Sequence, residues 1–197
     1  MKRYECMTAV VEALADALVV TTNGRAGVDW LTVSPPAYHD RLWRMRTMGL
    51  CSSVALGLAL TQPRLQVVAF DGDGSILMNA SSLATVGRYR PPNLLHVVFD
   101  NGCYEASGGL ITHTGAAQAA GRQVDLAGMA AAAGYPAVAT VRTVEEFERA
   151  FTQALRERVC TFLHALVEVG SVSGRAHGLD EVENKYRFLQ AVRALGA

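Results

Sequence analysis

The apolar residues of this chain fall in short unbroken runs, separated by segments of helical periodicity. The runs are Leu18–Val20, Leu65–Phe70, Leu94–Phe99, Ala137–Val141 and Thr161–Val169. A strand with one wet face alternates apolar and polar residues, whereas a strand covered on both faces does not. The runs therefore predict an α/β fold, a mainly parallel sheet with helices on both faces. Helical spacing places Met7, Val10, Val11 and Leu14 on one face of residues 4–17. Cys51–Leu60 reads as a buried helix, and Ser75–Arg90 as a helix stopped by Pro91-Pro92. Asp125 caps a short helix to Ala133, and Thr143 with Glu146 predicts a capping box for a helix through Arg156. A C-terminal helix is expected from about Leu179 to about residue 195. Residues 28–47 show no clear period, and a glycine-rich loop is expected from Gly102 to about Arg122.

At 197 residues the chain fits one domain spanning 1–197. Basic and acidic side chains number 18 each, so the formal charge is zero. That excludes the basic footprint of a general nucleic-acid binder. Only 18% of residues are charged against 50% hydrophobic, which points to a surface partly covered by other subunits. Cys6, Cys51, Cys103 and Cys160 form no C-x-x-C pair, which argues against a zinc or iron–sulfur site and fits a reducing cytoplasm. Glu12 and Asp16 interrupt the first apolar run, so no signal peptide is expected, and no run is long enough to span a membrane.

In parallel sheets ligands bind beyond the carboxyl ends of the strands. Two strand ends here carry unusual residues, Gly72-Asp73-Gly74-Ser75 and Asn101-Gly102-Cys103. A dinucleotide fingerprint would need glycine where Leu77 stands. A calcium loop from Asp71 would need glycine and glutamate where Ile76 and Ser82 stand. Asp73 and Asn101 are one strand–helix–strand unit apart, so adjacent strands would bring carboxylate and carboxamide to one edge. The turn after Asn101 can add a main-chain carbonyl, most naturally that of Cys103. These are hard oxygen donors suited to magnesium, which keeps open positions for water and phosphate oxygens. The helix that follows aims its N-terminus at the same place and favours a diphosphate.

The spacing of G-D-G and N resembles the thiamin-diphosphate-binding motif. Thr47–Ser53, Asp73–Asn79, Glu105–Gly109 and Glu183-Asn184-Lys185 with Phe188 extend the likeness over most of the chain. In them the chain resembles the diphosphate-binding (β) subunit of sulfopyruvate decarboxylases and the C-terminal half of phosphonopyruvate decarboxylases. The resemblance implies a split thiamin-diphosphate- and magnesium-dependent decarboxylase of a 2-oxo acid, giving an aldehyde and carbon dioxide. Asp73, Asn101 and the Cys103 carbonyl would hold the metal. Asn23, Gly24, Gly72, Gly74 and Ser75 would line the diphosphate, with Met48 beneath the cofactor. Tyr104 completes the expected cofactor set; it and Glu105 would contact substrate or order the loop. His113 is a candidate acid–base group. His39, His96, His164 and His177 show no ligand spacing and receive no role. The glutamate that activates the cofactor is expected on a pyrimidine-binding (α) partner subunit in a hetero-oligomer. Arg46 and Leu110 depart from the family's Gly and Gln. The same scaffold could instead serve an acyloin-forming carboligase or a non-catalytic regulatory subunit, and a metal–diphosphate module unrelated to thiamin would share the strand-end pattern.

Overall fold

The computed structural model describes residues 1–115, 123–172 and 180–196. Strands β1 (Leu18–Thr21), β2 (Leu42–Arg44), β3 (Val67–Gly72) and β4 (Leu94–Asp100) carry the N-terminal half of the main sheet. A short antiparallel hairpin follows, β5 (Cys103–Tyr104) and β6 (Leu110–Ile111). β7 (Ala137–Val141) and β8 (Thr161–Leu166) complete the main sheet. Its order is β2-β1-β3-β4-β8-β7, and every pairing within it is parallel.

Alternate residues of the central strands feed two separate cores, which is why the runs show no polar alternation. From β4, Leu95, Val97 and Phe99 join one core, with Met7 of α1 (Arg3–Val10), Trp30 of α2 (Arg25–Val33) and Phe147 and Phe151 of α7 (Val144–Glu157). Leu94 and Val98 join the other. There they meet Ala55 of α3 (Cys51–Thr61), Leu83 and Val86 of α5 (Ser82–Tyr89), Ala130 of α6 (Leu126–Ala133) and Phe188 of α8 (Glu181–Gly196). β1 leads outward to β2, while β3 leads the other way to β4. The chain thus reverses its direction of travel between β1 and β3, and a crevice opens where their loops diverge.

Several local expectations change. The helix read over Ser75–Arg90 is two helices, α4 (Asp73–Met78) and α5. Asn79 breaks it, because its side-chain amide donates to the Gly49 carbonyl at 2.8 Å and its side-chain oxygen accepts from Ser81. Such local side-chain bonds compete with helix continuation. The helix read over 4–17 is α1 followed by a 3-10 turn, Val11–Leu14. Residues 28–47 contain most of α2 and the edge strand β2, and the expected loop after Gly102 contains the β5–β6 hairpin. The last strand ends at Leu166 rather than Val169. Asp125 caps α6 as read, accepting from Gly128 N–H. Only half of the Thr143–Glu146 box forms: Thr143 accepts from Glu146 N–H, but the Glu146 carboxylate accepts from Arg142 N–H. His177, the far end of the glycine-rich loop and Leu179 lie outside the described residues.

Helix α8 packs along the edge strand β2. Its buried Asn184 donates from Nδ2 to the Leu42 carbonyl at 2.7 Å and accepts on Oδ1 from Arg44 N–H at 3.2 Å. No helix among the described residues is long and apolar enough to cross a membrane.

Candidate functional site

The crevice between β1 and β3 widens into a cleft of about 120 Å³ that opens to solvent. Thr22, Asn23 and Gly24 line it from the loop after β1, and Asp71 through Ser75 line it from β3 and α4. Asn101, Cys103, Tyr104 and Glu105 enter from the turn after β4, and Met48 from the loop before α3. All ten residues expected to bind the cofactor therefore line one cleft: Asn23, Gly24, Met48, Gly72, Asp73, Gly74, Ser75, Asn101, Cys103 and Tyr104. Met48 is half-buried and belongs to neither hydrophobic core, which removes the plainest alternative, an ordinary core methionine. His113 is exposed and does not line the cleft.

Each motif residue has a local reason for its place. Gly24 enters α2 with φ of 113°, a left-handed conformation that favours glycine. A Cβ on Gly74 would sit 2.3 Å from the Tyr104 ring, so this glycine lets the hairpin close over the start of α4. Ser75 is buried, and its hydroxyl oxygen accepts from Thr22 Oγ1 at 2.7 Å and from Gly49 N–H at 3.0 Å. That contact ties the loops after β1 and β3 to the loop carrying Met48.

Asp73 is the electrostatic centre. Burial raises its carboxyl pKa; a hydrogen bond from Thr112 opposes that rise, and the nearby Asp100 charge adds to it. Thr112 Oγ1 donates to Asp73 Oδ2 at 2.5 Å. The Thr114 hydroxyl lies 3.1 Å from the same oxygen and 2.8 Å from Asp100 Oδ1. Its single proton can serve only one of the two carboxylates at a time. Burial would raise Asp100 as well, but hydrogen bonds from His164, Thr114 and Gly102 N–H hold its carboxyl below the ordinary value. His164 Nε2 is 2.9 Å from Asp100 Oδ2.

Among the described residues no group of three His, Cys, Asp or Glu could hold a metal. In the expected donor set a cation would take one carboxylate, Asp73, and neutral oxygens from Asn101 and the Cys103 carbonyl. That donor set fits magnesium, a hard ion that binds through one or two carboxylates together with waters and phosphate oxygens.

Residues 20–165 match the family described as thiamine pyrophosphate enzyme, C-terminal TPP binding domain. The chain belongs to that family. Thiamine pyrophosphate and thiamin diphosphate are the same molecule, so the family carries the cofactor named by the strand-end motifs. Among curated relatives, phosphonopyruvate decarboxylase of Streptomyces viridochromogenes is 38% identical over 165 residues, which cover 84% of this chain and 39% of that one. Sulfopyruvate decarboxylase subunit beta of Methanocaldococcus jannaschii is 32% identical over 193 residues, covering 98% of this chain and 97% of that subunit. The chain thus spans well under half of the first relative and nearly all of the second. A solved thiamine diphosphate-dependent 4-hydroxybenzoylformate decarboxylase of Rhodococcus jostii RHA1 superposes with a TM-score of 0.64 at 21% identity. It covers 86% of this chain and 33% of that one, and it supports the fold alone.

Sequence reasoning missed part of this cleft. Arg3 lines it from the start of α1, far from either motif. Its guanidinium Nε is 2.7 Å from Asp29 Oδ2, and both side chains are buried. His96 and His164, given no role from the sequence, sit beside Asp71 and Asp100. His96 Nε2 lies 3.4 Å from Asp71 Oδ2 but forms no aligned hydrogen bond with it, while His96 Nδ1 meets the Tyr135 hydroxyl at 3.0 Å. The available signal was a histidine inside an otherwise apolar strand, since a buried imidazole needs a polar partner.

Proposed function

We propose that this chain is the diphosphate- and magnesium-binding subunit of a split thiamin-diphosphate-dependent decarboxylase. It would act with a pyrimidine-binding subunit on a 2-oxo acid, releasing carbon dioxide and an aldehyde. The observation that carries the reading is the convergence of Asp73, Asn101 and Cys103 on one cleft, at the crevice between β1 and β3. The near full-length match to a sulfopyruvate decarboxylase β subunit supports the split organisation. When bound, the cofactor supplies the carbanion chemistry of the reaction, and the protein supplies binding, orientation and electrostatics.

Each side chain then has a task. Asp73 brings the one full negative charge that neutralises a divalent cation. Asn101 Oδ1 and the Cys103 carbonyl add neutral oxygens, leaving room for diphosphate oxygens. Gly74, Ser75 and the Asn23-Gly24 turn cradle the diphosphate with main-chain groups. Met48 presents an apolar surface on which the cofactor rests. The activating glutamate is assigned to the partner, because Glu105, which lines this cleft, already accepts from Asn101 and pairs with Arg3. Leu50, Met78, Leu110 and Ile111 are exposed apolar side chains on or beside the loops that build the site, as expected of surface that a partner subunit covers. The four free thiols fit a reducing cytoplasm.

The test is reconstitution. The purified chain should show no decarboxylase activity toward sulfopyruvate or phosphonopyruvate, and addition of a pyrimidine-binding subunit should restore it. Robust carbon dioxide release by this chain alone, shown free of partner by mass spectrometry, would overturn the split-enzyme reading. Met48→Ala should lower cofactor affinity and turnover in the reconstituted complex while leaving urea unfolding within about 1 kcal/mol of the parent, because Met48 is not a core residue. Full turnover by a folded Met48→Ala protein would remove Met48 from the site.

A further inference from the structure

We infer that Glu105 is a positioning residue that orients the Asn101 side chain so that its oxygen faces the metal, and that Arg3 and Asp29 hold Glu105 in place. The inference rests on the metal reading proposed above, and it concerns residues to which that reading gives no metal role.

An asparagine amide has an oxygen end and a nitrogen end of nearly equal size, and only the oxygen binds magnesium. A half-turn about the last bond would exchange them and cost the cation a ligand. Two neighbours set the orientation here. Asn101 Oδ1 accepts from Cys103 N–H at 3.1 Å, and Asn101 Nδ2 donates to Glu105 Oε2 at 3.2 Å. In the flipped amide, NH₂ would face an N–H and the oxygen would face a carboxylate, so both contacts would turn repulsive. The Cys103 N–H belongs to the turn itself. Glu105 is the side chain that adds a charged acceptor on the other end.

Glu105 could not hold that place unaided, since its carboxylate is mostly shielded from water and lines the same cleft as the acidic Asp73. Nη1 and Nη2 of Arg3 each lie 3.4 Å from Glu105 Oε2. The same guanidinium is fixed through Nε to Asp29, whose side chain is wholly buried. Asp29 Oδ1 in turn accepts from the Ser171 hydroxyl and from Val172 N–H. Residues from α1, α2, the turn after β5 and the segment after β8 therefore converge behind a single amide. Partners of this outer kind, bonded to a metal ligand rather than to the metal, carry about 10–100-fold in metal affinity.

The experiment measures Mn²⁺, by loss of the free-ion electron paramagnetic resonance signal, in the full chain with its partner subunit and saturating thiamin diphosphate. Glu105→Ala should weaken Mn²⁺ binding by about 10–100-fold. Glu105→Gln keeps an oxygen that can accept from Asn101 Nδ2 and should recover part of the loss. The decisive background is Asn101→Asp, whose two oxygens need no orienting. There Glu105→Ala should cause no further loss. Circular dichroism confirms that each variant is folded, and Glu105→Gln, which keeps the side-chain volume, carries the comparison if the alanine variant does not fold. An equal loss in the parent and in the Asn101→Asp background would mean that Glu105 acts through its charge alone and would overturn the inference. So would unchanged affinity in Glu105→Ala; if Asp73→Ala still abolished binding in that case, the metal site would stand without the positioning role. Absence of Mn²⁺ uptake by the parent complex would remove the site reading and this inference together.

Discussion

An Asp73→Ala chain is expected to lose magnesium-dependent binding of thiamin diphosphate and to keep its fold. Asp73 is the one carboxylate in the proposed donor set, so its removal would leave both the cation and the diphosphate poorly neutralised. The loss should exceed the roughly 10–100-fold carried by outer partners of a metal ligand. Stability should change little, because Asp73 is a buried acid whose ionised form is disfavoured by burial and by Asp100. Removing it takes away a desolvated charge and a like-charge contact together. The thermal midpoint should stay within about 2–4 °C of the parent, the shift that ~1 kcal/mol produces in a domain of this size. Calorimetric titration of thiamin diphosphate with and without magnesium is the measurement. Parental affinity in the variant would show that Asp73 is only a helix-start residue.

Asp29→Ala should do the opposite, weakening the fold. Asp29 is fully buried, pairs with Arg3 at 2.7 Å and accepts from Val172 N–H at 3.0 Å. Its loss leaves a buried guanidinium whose other carboxylate, Glu105, is 3.4 Å away, and strands a main-chain donor. Breaking a buried pair from one side costs about 3–5 kcal/mol, a large share of the ~5–15 kcal/mol that holds a domain together. Urea unfolding should register that loss with little dependence on salt, since a buried pair is screened far less than a surface one. Asp29→Asn keeps an acceptor for Val172 and should fall between parent and alanine. A midpoint unchanged by Asp29→Ala would mean that Arg3 finds an equal partner elsewhere.

The two predictions differ in how far the sequence alone could reach. Asp73 and Asn101 could be found because short-range rules act on them: a buried strand ends, a helix or turn begins, and their spacing matches one strand–helix–strand unit. The sheet itself was legible for the same reason, since burial on both faces leaves unbroken apolar runs such as Leu94–Phe99. Arg3 and Asp29 could not be found this way. They meet across separate helices, and no local pattern records that α1 lies over the same cleft as the turn after β4. β2 was missed because Leu42-Trp43-Arg44 is too short to display a period. The β5–β6 hairpin was missed because Leu110 and Ile111 are exposed and follow glycines rather than an alternating pattern. Asn79, which splits the helix that begins at Asp73, is ordinary in composition; its effect depends on the Gly49 carbonyl that the fold brings beside it.

Asn184 has a consequence for behaviour in solution. The open side of an edge strand offers unpaired amides and carbonyls to any extended chain that passes, and so invites aggregation. At β2 the Asn184 side chain takes up the Leu42 carbonyl and the Arg44 amide. One carboxamide thus copies the bonding of a further strand without providing a backbone that could itself be extended. Helix α8 acts as a stopper on the sheet, and undocking it would leave that edge open to another extended chain.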